Sequence, residues 1–234
     1  MSFPRAKALV LDFGGVISKT LFETHGLTEA ALGLSPSTLR WRGPFAIETD
    51  PLWASMQRGE ISERDYWVTR SREVGRLVGE DWNDMATFVK RARGADPEAV
   101  IRPEAKRAIE LVADTGFKLA ILSNELDLFY GTEFRGRLPL LQRFAAIIDA
   151  TYTKLLKPDP RAYQMVLDAL SLDAGACVFV DDQRRNIDGA EACGMDTVLF
   201  DVRDPRSGYV AALRPFGLEL TEEMAGRSCA TPIS

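Results

Sequence analysis

The sequence predicts a doubly wound, Rossmann-like α/β fold, a mainly parallel sheet with helices on both faces, into which a helical cap is inserted. Three observations predict it: short aliphatic runs alternate with helical patterns, one long interval near the N-terminus lacks strand patterns, and polar residues follow the aliphatic runs. A chain of 234 residues can bury one substantial core and still contain a small inserted module.

Short β-branched or aliphatic runs, each followed by a polar or glycine-containing turn, are typical of buried parallel strands. The runs that fit this pattern are 8–13, 118–123, 177–181 and 197–200, with a weaker fifth at 145–149. The helical patterns between them cover 103–115, 161–170 and 187–193. Strands that alternate with helices in this way predict an α/β sheet.

The interval 18–100 breaks the alternation, because it has no convincing strand pattern and is rich in helix-compatible residues. Ser62, followed three residues later by Asp65, predicts a capping box and a helix over 63–78. The four tryptophans all lie in this interval and predict a small aromatic core, or alternatively one tryptophan at a substrate mouth: Trp41, Trp53, Trp67 and Trp82.

The predicted organisation therefore has three parts. The parts are an α/β core at 1–17 and 101–220, a helical cap at 18–100, and a polar tail at 221–234 that we expect to be frayed or disordered. No run approaches the roughly 20 apolar residues that a membrane span needs, and the N-terminus lacks a secretory signal pattern. We expect a soluble protein that is a monomer or a homodimer.

Charge and cysteine content narrow the possible partners. A net charge of -5 offers no basic field for a polyanion, so a small substrate is favoured over nucleic acid. The three cysteines are an odd number without short metal-type spacing, which predicts free thiols in a reducing compartment: Cys177, Cys193 and Cys229. Cytoplasm is therefore the expected location.

Polar residues follow the first two predicted strands. Asp12 ends the first strand, and in open α/β sheets ligands gather at the carboxyl ends of strands. Gly14 and Gly15 come next and would let main-chain groups approach an anion closely, although an aspartate at such a turn is also a common cap. Ser123 and Asn124 follow the second strand, where they could bind phosphate oxygens or cap the next helix.

Charged residues follow the later strands. Lys157 precedes Pro158, and a lysine held by a stiffened loop can neutralise a nucleophilic carboxylate and a phosphoryl group together; the alternative is a solvated surface lysine. Asp181 and Asp182 end an apolar strand. Adjacent carboxylates repel each other unless a cation lies between them and Asp12, and oxygen ligands suit Mg²⁺. The alternative places Asp182 at a helix N-terminus.

These four motifs occur in one order, each at or near a predicted strand end, and together they resemble the haloacid dehalogenase-like superfamily of aspartate-nucleophile hydrolases. The resemblance covers residues 7–200 and includes a helical cap between the first two motifs. Residues 12–16 and 59–62 are similar to the branch with sugar-phosphate phosphatases and the phosphatase domain of soluble epoxide hydrolases. The resemblance implies a magnesium-dependent phosphatase that hydrolyses a small phosphorylated metabolite through an aspartyl phosphate.

The resemblance also implies a role for individual residues. It makes Asp12 the nucleophile and a Mg²⁺ ligand, and it gives Lys157 the charge-balancing role. The remaining metal contacts fall to the Gly14 carbonyl, to Asp182, and to Asp181, which would also orient water or lysine. The implied substrate contacts are Gly15, Ser123 and Asn124. Asn186 takes the polar position that follows in the last motif.

The chain departs from the superfamily pattern at Gly14, where active phosphatases usually have an aspartate that protonates the leaving group. Another group or the substrate itself could supply the proton, and His25, the single histidine, is one such hypothesis. Alternatively, the substrate has a good leaving group, such as an anomeric, enol or acyl phosphate. Two further alternatives are a metal-independent 2-haloacid dehalogenase and a weakly catalytic protein that binds phosphorylated ligands.

Overall fold

The computed structural model describes residues 5–92, 98–124 and 126–221, and in them five parallel strands form one sheet in the order β3-β2-β1-β4-β5. The strands are β1 Ala8–Leu11, β2 Lys118–Ser123, β3 Ala146–Asp149, β4 Cys177–Asp181 and β5 Asp196–Leu199. Helices cover both faces, so the predicted Rossmann-like α/β fold is confirmed. The weaker fifth strand of the prediction is β3.

Central strand β1 is buried on both sides, and its side chains alternate between two hydrophobic clusters. Leu9 and Leu11 pack against α5 (Pro103–Asp114) and α11 (Pro205–Leu213). Ala8 and Val10 point to the other face, against α9 (Pro160–Leu170) and α10 (Arg184–Ala192). Because both faces are covered, the strand is apolar throughout and gives the continuous aliphatic run that the sequence shows.

Strand β1 ends two residues before the predicted boundary, because the chain turns sharply after Asp12. Gly15 has a φ of 80°, a left-handed conformation that favours glycine, and it bends the segment Phe13–Ile17 away from the sheet. Asp12 still donates its main-chain N–H to the Val180 carbonyl at 2.9 Å. The turn therefore holds the Asp12 side chain at the carboxyl edge of the sheet.

In the interval 18–100 the described residues contain four α-helices and no strand of the sheet. The helices are α1 His25–Ala31, α2 Pro51–Gln57, α3 Glu63–Leu77 and α4 Met85–Ala92. The predicted capping box is confirmed, because Ser62 Oγ accepts from the Asp65 N–H and Asp65 Oδ2 accepts from the Ser62 N–H, both at 3.1 Å.

This helical region has its own hydrophobic cluster, which contains all four tryptophans. The tryptophans are 3–8% exposed, as expected for a small aromatic core. A separate cluster supports the proposed division into a core and a cap, while the bounds 1–17, 18–100 and 101–220 stay a prediction. The predicted tail lies outside the described residues from position 222.

Three short helices complete the α/β core. They are α6 Leu126–Tyr130, α7 Phe134–Arg137 and α8 Ala150–Thr153. Phe129 and Tyr130 of α6 pack against the aromatic cluster between β1 and β2. Cys177 and Cys193 are free thiols, whereas Cys229 lies outside the described residues. None of the described helices has the length and apolar composition that a membrane span requires.

Candidate active site

The carboxyl ends of β1, β2 and β4 meet at a cavity of about 360 Å³. Seven of the eight predicted site residues line this cavity: Asp12, Gly14, Gly15, Ser123, Asn124, Lys157 and Asp182. Asp181, the eighth, lies directly behind it and is fully buried. The sheet therefore brings together residues that are up to 170 positions apart in the chain.

Lys157 connects two of the carboxylates. Its Nζ donates to Asp12 Oδ1 at 2.8 Å and to Asp181 Oδ2 at 2.6 Å, and the residue is only 4% exposed. Burial by itself lowers the pKa of Lys157, but the attraction of Asp12 and Asp181 outweighs it and raises the pKa above its ordinary value. Lys157 is therefore a charged, fixed group, and the alternative of a solvated surface lysine is wrong.

Asn124 positions the loop that carries this lysine. Asn124 Oδ1 accepts from the Lys157 main-chain N–H at 2.7 Å, and Asn124 Nδ2 donates to the Lys157 carbonyl at 3.4 Å. The resemblance implies a phosphate contact for Asn124, and the residue does line the cavity. Its side-chain hydrogen bonds, however, join the end of β2 to the lysine loop, which is a positioning role.

Asp181 accepts hydrogen bonds on both of its oxygens. Asn186 Nδ2 lies 3.0 and 3.1 Å from the two oxygens, the Gln183 N–H lies 2.8 Å from Oδ1, and Lys157 donates to Oδ2. With its lone pairs directed at these donors, Asp181 fixes Lys157 and the turn after β4. Of the two roles that the sequence predicts for Asp181, the hydrogen bonds favour orientation of the lysine over metal ligation.

Asp182 lies against the turn that follows β1. A Cβ at Gly15 would be 2.8 Å from Asp182 Oδ2, so this close approach, together with the positive φ, requires glycine. Burial raises the pKa of the Asp182 carboxyl well above its ordinary value, and the nearby charges of Asp181 and Asp12 raise it further. Burial likewise raises the pKa of Asp12, against the opposing attraction of Lys157.

The cluster as a whole carries an excess of negative charge. Asp12, Asp181 and Asp182 offer oxygen atoms that all lie within 4.8 Å of one another. When all three carboxylates are ionised, as metal ligation requires, the single Lys157 ammonium leaves two of their negative charges uncompensated. A donor set made only of oxygen with this charge fits a divalent hard cation such as Mg²⁺, and Asp12 and Asp182 are the carboxylates that could hold it.

A proton donor for the leaving group is harder to identify. The carboxylates among the described cavity-lining residues are Asp12, Asp182 and Glu63, and Glu63 is paired with Arg185 at 2.8 Å. His25 does not line the cavity. Its ring centroid lies 4.3 Å from that of Trp41, and burial lowers its pKa to about 4, so it is a neutral part of the aromatic cluster. These contacts argue against His25 as a surrogate acid.

Two features of the site escaped the sequence analysis. Arg102, 2% exposed, donates from Nε to the Gly15 carbonyl at 2.9 Å and forms a two-pronged ion pair with Glu23 at 2.8 and 2.6 Å. It thereby holds the turn after Asp12. No local pattern marks an arginine that is buried by distant contacts. The second feature is the set of apolar side chains that line the cavity, of which only the tryptophan alternative gave a signal.

Comparisons with known proteins agree with this geometry. A sequence model of the family described as haloacid dehalogenase-like hydrolase matches residues 6–194. Protein CbbY of Cupriavidus necator is 33% identical over 90% of this chain and 86% of its own length. Phosphatase MT3486 of Mycobacterium tuberculosis is 30% identical over 90% of this chain and 94% of its own length.

Other relatives differ in named activity. The (S)-2-haloacid dehalogenase 4A of Burkholderia cepacia is 30% identical over 49% of each chain. Among solved structures, the HAD-hydrolase YfnB of Bacillus subtilis, bound to magnesium, superimposes with a TM-score of 0.60 at 18% identity, over 84% of this chain and 87% of its own. At that identity the likeness supports the fold alone.

Proposed function

Because the chain belongs to the haloacid dehalogenase-like hydrolase family, we propose that it is a magnesium-dependent phosphatase that acts through an aspartyl phosphate on Asp12. The observation that carries this proposal is the cluster of Asp12, Lys157 and Asp182 around one cavity, with two uncompensated negative charges. The phosphatase-named relative that spans 90% of the chain supports the same activity.

The proposed reaction has two steps. An oxygen of Asp12 attacks the phosphorus atom in line with the ester oxygen, the bond between phosphorus and the ester oxygen breaks, and that oxygen takes up a proton and departs as the alcohol. Water then attacks the phosphorus of the aspartyl phosphate, which releases inorganic phosphate and restores the Asp12 carboxylate. Bound Mg²⁺, held by Asp12 and Asp182, would supply positive charge to the phosphoryl oxygens.

Lys157 lowers the electrostatic barrier to this attack. A carboxylate that approaches a phosphate dianion is repelled, and the ammonium, 2.8 Å from Asp12 Oδ1, offsets part of that repulsion. Asp181 keeps the ammonium in place through its 2.6 Å hydrogen bond, and Asn124 keeps the main chain of Lys157 in place. The lysine therefore does not need to reorganise during the reaction.

The dehalogenase alternative fits the charges less well. A 2-haloacid carries its own carboxylate, and a halide leaves as an anion, so both would meet the negative excess of the Asp12–Asp182 cluster. A metal-independent reaction would leave that excess uncompensated. Relatives named haloacid dehalogenases nonetheless make the activity a specific alternative to test.

One assay separates the candidate functions: release of phosphate from small phosphate esters and of halide from 2-haloacids, each with Mg²⁺ and with chelator. Metal-dependent phosphate release supports the proposal. Halide release in chelator supports the dehalogenase, and tight binding of phosphate esters without turnover supports the ligand-binding alternative. Either of the last two results, without phosphate release, would overturn the proposed function.

Metal binding can be tested apart from activity. We expect saturating Mg²⁺ to raise the Tm of the protein by about 5 °C, because a ligand that binds only the folded state stabilises it. Asp182→Asn should remove this shift. The control Asp188→Asn should keep it, because Asp188 is an exposed acid paired with Arg184 and does not line the cavity. An equal shift in both variants would contradict a site at Asp182.

A further inference from the structure

One side of the active-site cavity is apolar, although the chemistry proposed for it needs only charged and polar groups. Six buried or half-buried side chains form what is here called the apolar wall: Phe22, Trp53, Trp67, Met85, Val89 and Phe129. Five of them belong to the region between β1 and β2, and Phe129 belongs to α6. The wall lines the same cavity as Asp12 and Lys157, so an ester bound at Asp12 would place its alcohol part near it.

The apolar wall is rigid, because its rings pack on one another. The Phe22 ring centroid lies 5.1 Å from that of Trp53 and 5.3 Å from that of Trp67. The two tryptophans are only 6% and 8% exposed, so the side chains packed around them hold their rings in place. A ligand that occupies the cavity therefore meets fixed apolar surface.

Polar side chains also line the cavity, but several are engaged with each other. Glu63 pairs with Arg185 at 2.8 Å, and the Thr20 hydroxyl donates at 2.8 Å to Glu23, which lies outside the cavity lining. The ring hydroxyls of a sugar would lose hydrogen bonds to water when placed against the apolar wall, and such unpaired polar groups reduce affinity. An apolar alcohol would instead gain by leaving water.

We infer that the substrate is a phosphate monoester of an apolar, ring-sized or chain-like alcohol and not a sugar phosphate, an inference that rests on the proposed phosphatase function. Lys157, together with Ser123 at the end of β2, recognises the phosphoryl group. The apolar wall recognises the alcohol that leaves, and a cavity of about 360 Å³ accommodates a body of that size.

A matched pair of substrates tests this inference: cyclohexylmethyl phosphate and glucose 6-phosphate. Both are esters of a primary alcohol on a six-membered ring, and they differ chiefly in the hydroxyl groups on that ring. We expect kcat/KM to be at least about tenfold higher for cyclohexylmethyl phosphate. Equal values, or a preference for the sugar phosphate, would overturn the inference and leave the proposed phosphatase intact.

A pair of leucines provides a control within the chain. Leu156 is 44% exposed and lines the cavity, whereas Leu128 is 37% exposed and does not. Because both side chains are well exposed, neither substitution should prevent folding. Leu156→Gln should reduce the preference for the apolar ester by about threefold or more, and Leu128→Gln should leave it unchanged. The same effect in both variants would contradict a role for the cavity lining.

Binding distinguishes failure of this inference from failure of the proposed function. If neither these two esters nor any other small phosphate ester releases phosphate, the phosphatase proposal fails, and the affinity of both esters for the Asp12→Asn variant is then measured by tryptophan fluorescence. Trp53 and Trp67 lie in the apolar wall and should report a bound ring. Tighter binding of cyclohexylmethyl phosphate would support the ligand class, and equal or absent binding would overturn it.

Discussion

The cavity joins two surfaces of opposite character. The site floor consists of Asp12, Asp181 and Asp182 at the strand ends and of Lys157 on the loop before α9. Its carboxylate oxygens lie within 4.8 Å of one another, and Lys157 donates hydrogen bonds to Asp12 and Asp181. The apolar wall consists of aromatic and aliphatic side chains, most of them from the helices inserted between β1 and β2. The sheet thus fixes the chemistry of the site, and the inserted region supplies the surface that selects the substrate.

The largest effect on turnover is expected from a substitution in the site floor. Asp12→Asn removes the nucleophile with almost no change in shape, and we expect kcat to fall by about a thousandfold or more. Circular dichroism and Tm should stay close to those of the parent, because Asp181 still neutralises Lys157 at 2.6 Å. A variant that retains more than a tenth of the parent's turnover would remove Asp12 from the mechanism.

Lys157→Met should be the next most damaging change. Loss of the ammonium should lower kcat by about 10²- to 10³-fold. It should also reduce the free energy of unfolding by about 3 kcal/mol, because it leaves buried carboxylates without their cation. Lys154→Met, three residues away on the exposed surface, is the control and should change neither quantity. Equal kinetics in the two variants would contradict the charge-balancing role.

Gly14→Asp tests whether the site floor lacks a general acid at position 14. Gly14 has φ −71° and ψ 124°, which any residue adopts, and an added Cβ would meet no atom within 4 Å. An aspartate there should raise kcat for alkyl phosphates by about tenfold or more, because a general acid helps a poor leaving group. It should change turnover of aryl phosphates little. An equal loss for both ester types would show that position 14 does not serve the leaving group.

The smallest effect is expected from His25, in the aromatic cluster away from the floor. Burial and the charge of Arg42 lower its pKa from 6.5 to about 4, so on acidification the unfolded chain takes up this proton before the folded chain does. Stability should therefore fall as the pH drops from 6.5 towards 4. His25→Gln should show a flatter pH dependence in urea unfolding and unchanged kcat. A large loss of kcat would restore His25 as a candidate acid.

The local sequence pattern predicted most strands of the sheet and the position of the active site. The bounds of β2 and β4 coincide with the predicted runs at 118–123 and 177–181, because the apolar interior of each strand is buried and a polar residue marks where it ends. Strand ends in a parallel sheet share one edge, and this rule placed Asp12 and Asp182 at a common cavity, which the loop with Lys157 also reaches.

The features of the site that the sequence did not predict depend on contacts between distant segments of the chain. Nothing near Arg102 indicates that its guanidinium reaches Gly15, which is 87 residues away. The partition of roles between Asp181 and Asp182 depends on which carboxylate receives the Lys157, Gln183 and Asn186 hydrogen bonds. Which tryptophans line the cavity could not be predicted, since a buried tryptophan and a cavity-lining tryptophan have the same local pattern.

The most direct test of the central proposal is to trap the phosphorylated enzyme. The protein, mixed with Mg²⁺ and a substrate that it turns over, is quenched in acid within one turnover, digested, and analysed by mass spectrometry. The account predicts one phosphoryl group on Asp12, absent in chelator and in the Asp12→Asn variant. Turnover without any phosphoryl group on Asp12, or with it on another residue, would contradict the account.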